Sequence, residues 1–403
     1  MKKIFLRIVL FTVVLSLCSS LISCKGIGNE HSHETTGFGE ITSNINDDKD
    51  NVNNAPYIPT ILAVPADEQT IPLLSGNAYK FCTEYSPGIS EKYWDLTDQY
   101  YPEPATISWS VEKPANYYTV ILSKNSDMSE AQSFVCLSEE LKIEDLFMGT
   151  QYYYQVLAHY EKDTVNSRVF SFVTAYLPRT VYIEGASNTR DFGGYYTVDG
   201  KYRIKQGVLY RGGHIDDLTD AGREKMLNVY GIKTDLDLRG TKSKSPLGDS
   251  VNFVNVSGPY YQGTTAGLAT TNEAYLNALR TEIRTFADPA NYPIFVHCAH
   301  GRDRTGTIVF LILALCGVEG TDLWIDYEIS LLSYAGTDGG KGTYDPASRK
   351  SQFQSFYNYV QNYLGQNNGY SLAENTEAYM KTHLGITDAE IAAIRSFLME
   401  EVK

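Results

Sequence analysis

The chain has 403 residues, 43% of them apolar and 20% charged, and a formal net charge of −14. That length accommodates two domains, each with its own core. The acidic balance argues against nucleic acid as a partner and gives no attraction to an anionic membrane surface.

Lys2, Lys3 and Arg7 form a cationic head, followed by an apolar stretch from Ile8 to Leu17 and by Leu21-Ile22-Ser23-Cys24. The apolar stretch is short for a membrane span. An apolar and then a small residue ahead of a cysteine resembles a bacterial lipoprotein signal. Residues 1–23 are therefore expected to be a signal peptide, with Cys24 lipidated and the mature chain anchored in the cell envelope. Each buried acyl CH₂ adds about 0.8 kcal/mol to such an anchor. Losing the three cations of residues 1–23 takes the net charge from −14 to −17. Residues 24–56 are rich in Asn, Asp, Gly, Ser and Thr and read as a flexible tether. His31 and His33 fall within it and read as spacer rather than as metal ligands.

Residues 57–177 are expected to form an all-β sandwich. Pro59, Pro65 and Pro72 mark an extended entry, and from about 76 to 176 the pattern is all-β. Residues 106–111, 117–123, 151–158 and 169–174 read as strands punctuated by turn residues. Trp109 with Tyr152 and Tyr154 resembles a fibronectin type III module, whose task would be spacing, docking or partner binding. An edge of it could also shape a neighbouring cleft. Cys82 and Cys136 fall in this region and could pair in an oxidising compartment.

Residues 178–403 carry the chemistry. Residues 294–306 read Ile-Phe-Val-His-Cys-Ala-His-Gly-Arg-Asp-Arg-Thr-Gly. The pattern predicts a buried strand from Tyr292 to His297 that delivers Cys298 to a loop. A helix follows from near Thr305 to Leu315. Thiol and guanidinium then meet at the positive end of a helix, where backbone N–H groups bind phosphate. The thiolate is the attacking form, and cations at a helix N-terminus favour it. Arg304 can grip two phosphoryl oxygens at once. Gly301 lets the backbone curl close to a ligand. Ala299, His300, Gly301, Arg302, Asp303, Arg304 and Thr305 would line the anion, and the Thr305 hydroxyl would share a hydrogen bond with the sulfur. Cys316 reads as helix packing.

The stretch His297 to Gly306 resembles the signature of the protein-tyrosine phosphatase superfamily. Its Gly-Arg-Asp-Arg-Thr-Gly form is similar to the secreted, atypical bacterial tyrosine phosphatases, which usually have lysine where this chain has Arg302. Residues 187–194 (Ser-Asn-Thr-Arg-Asp-Phe-Gly-Gly), 204–213, 218–222, 231–239, 325–330 and 385–394 resemble that family in the same order. The likeness covers roughly residues 180–400.

The resemblance implies an α/β domain, with a central, mostly parallel sheet flanked by helices and the phosphate loop at a strand's carboxyl end. It implies a metal-independent, cofactor-free phosphatase in which Cys298 attacks and Arg304 with the loop amides holds phosphate. The general acid would be Asp303 or Asp237, and Asp237 could instead form a structural ion pair with Arg239. His297 would orient the loop. Arg190 and Asp191 would fasten the first strand to it. Phosphotyrosine is the expected substrate, with phosphoserine and phosphothreonine as further candidates. The extra cation Arg302 opens a phosphoinositide or inositol phosphate as an alternative. A reading of another class, a surface binding protein with an inactive phosphatase domain, sits badly with an intact Cys298 and Arg304.

Overall fold

Alternation of apolar and polar residues, clearest in Ala105–Ser110, marks strands in the first part of the chain. The computed structural model describes residues 61–93, 102–258, 268–333, 346–367 and 369–402. The expected signal, the lipidation site Cys24 and the tether lie outside these residues. Nine strands follow in order: β1 (Leu62–Val64), β2 (Gln69–Ile71), β3 (Ala105–Ser110), β4 (Tyr117–Ser123), β5 (Gln132–Cys136), β6 (Glu140–Ile143), β7 (Gln151–His159), β8 (Thr164–Asn166) and β9 (Phe170–Thr174). One sheet runs β1-β3-β6; the other runs β2-β9-β7-β4-β5, with β8 paired to β7. Every second residue of β7 is buried. Ile107 and Trp109 of the first sheet share one core with Val120, Tyr154 and Phe172 of the second.

The expected all-β pattern is interrupted. Residues Gly76–Thr83 form helix α1 and Ser90–Tyr93 a short helix α2. Ala78, Phe81 and Cys82 stand at helical spacing and pack with Leu74, Tyr93, Ile329 and Leu332 in a separate core. Cys82 and Cys136 are both free thiols. Cys82 belongs to this small core, and Cys136 packs on the core of the two sheets.

The second part begins with β10 (Arg179–Thr180), β11 (Arg190–Asp191), β12 (Tyr202–Ile204), β13 (Leu209–Gly212), helix α3 (Asp220–Glu224), β14 (Thr234–Asp237) and β15 (Asn252–Asn255). Then come α4 (Glu273–Thr285), β16 (Ile294–His297), α5 (Asp303–Leu315), α6 (Thr321–Glu328) and a 3₁₀ turn (Ile329–Leu332). Helices α7 (Pro346–Gln361), α8 (Leu372–Thr382) and α9 (Asp388–Leu398) precede the last strand, β17 (Met399–Glu401), which pairs with β12. The sheet order is β10-β11-β13-β16-β14-β15. Strands β13, β16, β14 and β15 are parallel; β10 and β11 join antiparallel at one edge. Both faces are covered. Ile294 and Val296 join the core of α4, α5, α8 and α9, while Phe295 packs opposite with Met226 and Tyr230.

Strand β16 starts at Ile294 rather than Tyr292, because Pro293 has no N–H for the ladder. Helix α5 starts at Asp303, two residues before the expected point, because the Gly306 amide already donates to the Arg302 carbonyl at 2.8 Å. Residues 305–315 of α5 are all buried, as expected of a helix apolar on every side. No helix among the described residues is long and apolar enough to cross a membrane.

The β6–β7 loop joins the two parts. Arg179 donates to the Leu146 carbonyl (3.0 Å) and the Asp145 carbonyl (2.6 Å). Arg203 holds the carbonyls of Met148 and Gly149, and Tyr230 donates to Asp145 at 2.9 Å. These contacts gather around Gln206 and Gly207, at the amino end of β13. The parallel partner of β13 carries Cys298 beyond its opposite end.

Candidate active site

Central strand β16 and buried helix α5 fix the two ends of the loop 298–302. The loop's carbonyls are tied to donors outside it. The Ala299 carbonyl accepts from the His214 amide (3.1 Å), that of His300 from Asn188 Nδ2 (2.9 Å), and that of Gly301 from Arg211 Nη2 (2.7 Å). In a planar trans peptide the N–H opposes the carbonyl. Three successive carbonyls held outward therefore turn the amides of His300, Gly301 and Arg302 the other way, in the manner of an anion nest. Gly301 is required twice: its φ is +70°, and a Cβ would lie 2.4 Å from the Gly212 backbone. Asn188 has φ +55°, a left-handed conformation that asparagine tolerates.

Behind the loop lies a buried ion network. Arg190 donates to Asp326 Oδ1 at 2.9 Å and to Ser330 Oγ at 2.9 Å. Its other Nη reaches Asn188 Oδ1 at 2.7 Å. Arg211 bonds the second oxygen of Asp326. Burial raises the Asp326 carboxyl, but the two guanidinium groups outweigh it and hold it below its usual range. Burial, with Arg190 alongside, pulls Arg211 down to about 10, so it stays charged at neutral pH. Arg190, Asp326 and Arg211 thus fasten both Asn188 and Gly301.

Sequence reasoning assigned no role to Arg211, Asp326, Ser330 or Asn188. The available signal was an ionisable residue inside an apolar segment, Val208-Leu209-Tyr210-Arg211 above all. Once buried, such a residue must be paired.

Cys298 follows β16 and is 3% exposed. His297 Nε2 sits 2.8 Å from Asp235 Oδ1, both fully buried, and Asp235 Oδ2 accepts from Ser245 at 2.6 Å. His297 is thus held by the neighbouring strand. Arg304 is half-buried and donates to the Leu238 carbonyl at 2.9 Å, across the end of β14. Its charge also acts on Glu282 of α4, a further residue missed in the sequence. Glu282 is 2% exposed and accepts the Gly258 amide at 2.9 Å. Burial pushes its carboxyl up to about 8.

Four expectations change. The Thr305 hydroxyl is buried without a hydrogen-bond partner, so the expected bond to the sulfur is not formed. Asp191 lies on the face of β11 away from Arg190 and holds Arg179 (2.7 Å), Gly193 and Gly207 instead of the loop. Asp237 is fully buried and forked onto Arg239. Burial works to raise its carboxyl, but the Arg239 bonds hold it below its usual range; paired and with no exposed surface it is placed as a structural ion pair, whereas Asp303, also paired, keeps part of its side chain exposed beside the loop. Arg302, expected as an extra cation for substrate, is 1% exposed and forked onto Asp303 at 3.0 Å through Nε and Nη2.

A family model described as the tyrosine phosphatase family matches residues 181–400, more than half of the chain. The chain belongs to the tyrosine phosphatase family. A relative from Cupriavidus necator that carries the name of a tyrosine-protein phosphatase is 30% identical over 165 residues. That match covers 35% of this chain and spans 59% of the relative's own length. Two solved structures of phosphatase cores are also similar. One is the core catalytic domain of the PP-IP phosphatase SIW14 from S. cerevisiae in complex with citrate, at 14% identity and a TM-score of 0.25, covering 38% of this chain and 84% of that one. The other is a Siw14 catalytic core, at 14% identity and a TM-score of 0.27, covering 51% and 96%. In this tyrosine phosphatase family member the matched span begins at Val181, so the loop, the Arg190–Asp326–Arg211 network and Glu282 all lie inside it.

Proposed function

We propose that the chain hydrolyses phosphotyrosine through a phosphocysteine intermediate. Cys298 Sγ attacks phosphorus while the bond to the leaving oxygen breaks and Asp303 passes that oxygen a proton. Water then gives a proton to the Asp303 carboxylate as it attacks phosphorus, the S–P bond breaks, and phosphate leaves. Arg304 and the loop amides hold the phosphoryl oxygens throughout. The orientation of the peptides at residues 299–301 carries this reading, because it prepares a ring of donors beside Cys298 before any substrate arrives.

Phosphoserine and phosphothreonine are further substrates under this reading. The ground for a phosphoinositide was the spare charge of Arg302, and Asp303 already pairs that charge. The reading also takes the two sheets of residues 62–174 as a fibronectin type III-like sandwich that docks without catalysing. It takes Cys24 as a lipid anchor at the cell envelope.

Cys298→Ser on an aryl phosphate tests the mechanism. Turnover should fall by roughly 10⁴-fold or more while substrate affinity persists; a variant with the wild-type rate would refute it. A panel of phosphotyrosine peptide, phosphoserine peptide, phosphoinositide and inositol hexakisphosphate tests the substrate. Faster turnover of either inositol compound would replace the assignment.

A further inference from the structure

The family match begins at Val181, yet a segment well before it in the chain packs against the helix end that carries Asp326. Helices α1 and α2 are linked by a turn at Tyr85–Gly88. Glu328, fully buried at the end of α6, accepts from the Gly88 amide at 3.0 and 3.2 Å and from the Tyr85 hydroxyl at 3.3 Å. Lys350 of α7 covers the turn from outside, donating to the Pro87 carbonyl at 2.7 Å. A Cβ on Gly88 would lie 2.5 Å from its Nζ. Ile329 and Leu332 complete the apolar side of this contact. The residues that hold the loop network alternate with these. Asp326 precedes Glu328 by two positions, and Ser330 follows it by two. Cys82 of α1 lies close enough to Arg190 for that charge to act on its thiol.

We propose that residues 74–93 brace the phosphate loop, with Glu328 as the positioning residue that links their docking to Asp326, Arg211 and the Gly301 carbonyl. The five residues 326–330 have one side on the brace and the other on the network, so neither can shift without the other. The proposal rests on the reading of residues 298–305 as a phosphate site. It makes the catalytic unit discontinuous in sequence, since residues 74–93 serve it from beyond the intervening sheets.

Coupling of this kind is reciprocal, so phosphate on the loop should steady the brace. Hydrogen exchange on the full chain, with and without inorganic phosphate, reads this directly. Amides of 76–93 should slow severalfold together with those of 298–304. Glu328→Gln should lower aryl phosphate turnover by about tenfold to a hundredfold and weaken phosphate inhibition. Tyr85→Phe, a milder change that spares the fold, should do the same to a smaller degree and decides the matter if Glu328→Gln does not fold. Protection confined to 298–304, with wild-type turnover in Tyr85→Phe, overturns the brace and leaves the phosphate site standing. Protection of neither segment, with no turnover by the wild type, overturns the phosphate site and the brace with it.

Discussion

The two parts of the chain bury polar groups on opposite terms. Between Ile61 and Thr174 the described residues bury four polar side chains, Ser90, Ser123, Ser167 and Thr174, and no charged one. Its buried tyrosine hydroxyls find fixed partners, as Tyr154 does in donating to the buried Pro65 carbonyl at 2.7 Å. Beyond Arg179 the core instead holds Arg190, Arg211, Asp235, Glu282, Asp326 and Glu328. Buried ion pairs seldom stabilise more than apolar side chains of the same volume would. Their use here lies in geometry: they point Asn188 and Arg211 at the carbonyls of one loop. Apart from the bracing segment 74–93, one region is built to fold, and the other gives up stability to hold a loop in one shape.

Arg211→Met should break this contrast most strongly. It strips Asp326 of one partner and the Gly301 carbonyl of its donor, at a cost of about 3 kcal/mol or more. Turnover should collapse with it. Tyr154→Phe is the counterpart in the sheets. It should cost about 1 kcal/mol in urea unfolding and leave the aryl phosphate rate unchanged. If Tyr154→Phe slows turnover as much as Arg211→Met, the two regions are not separate in purpose.

Periodicity made the sheets and the central helix legible. Alternation in residues 117–123 and 151–158 gave two strands, and the apolar run to Leu315 gave α5. Helix α1 was missed although Ala78, Phe81 and Cys82 have helical spacing, because a short apolar run between proline-rich and aromatic segments reads equally well as a strand. The strand, loop and helix that carry Cys298 and Arg304 were legible because they are contiguous in sequence. Their supports were not, since Asn188, Arg211 and Asp326 meet only through the crossovers of the sheet, and no local pattern pairs them. The forks Arg239–Asp237 and Arg302–Asp303 are local, and the sequence could show the residues adjacent without showing which oxygen faces which donor.

The pH dependence of stability should sharpen the comparison next. The Glu282 carboxyl, ordinarily near 4.5, is pushed up to about 8 by burial, so the folded chain keeps a proton that the unfolded chain releases. Its contribution is fully present below about pH 4.5 and is lost as pH rises through about 8. The described residues between Ile61 and Thr174 bury no carboxylate and should not share this trend. Urea unfolding at about pH 5.5 and about pH 8.5 should show Glu282→Gln overtaking the wild type at the higher value, by on the order of 3 kcal/mol. Parallel pH profiles for variant and wild type would mean that Glu282 is charged in the fold after all.

The smallest effect on stability should come from Thr305. Of the described residues, the sheets contain one buried side-chain atom without a partner, Trp109 Nε1, whereas the second part has seven, Thr305 Oγ1 among them. A buried hydroxyl that bonds nothing is desolvated without return, so Thr305→Val should not weaken the fold and should raise its stability by about 0.5 kcal/mol. If the hydroxyl is there for the sulfur, its use comes in turnover, when Cys298 carries charge as attacking or leaving group. The same variant should then slow aryl phosphate hydrolysis severalfold, with the breakdown of the phosphocysteine slowed more than its formation. Rapid-quench trapping of the intermediate separates the two steps. A Thr305→Val enzyme with unchanged rates for both would make this hydroxyl packing alone, of the same standing as Trp109 Nε1.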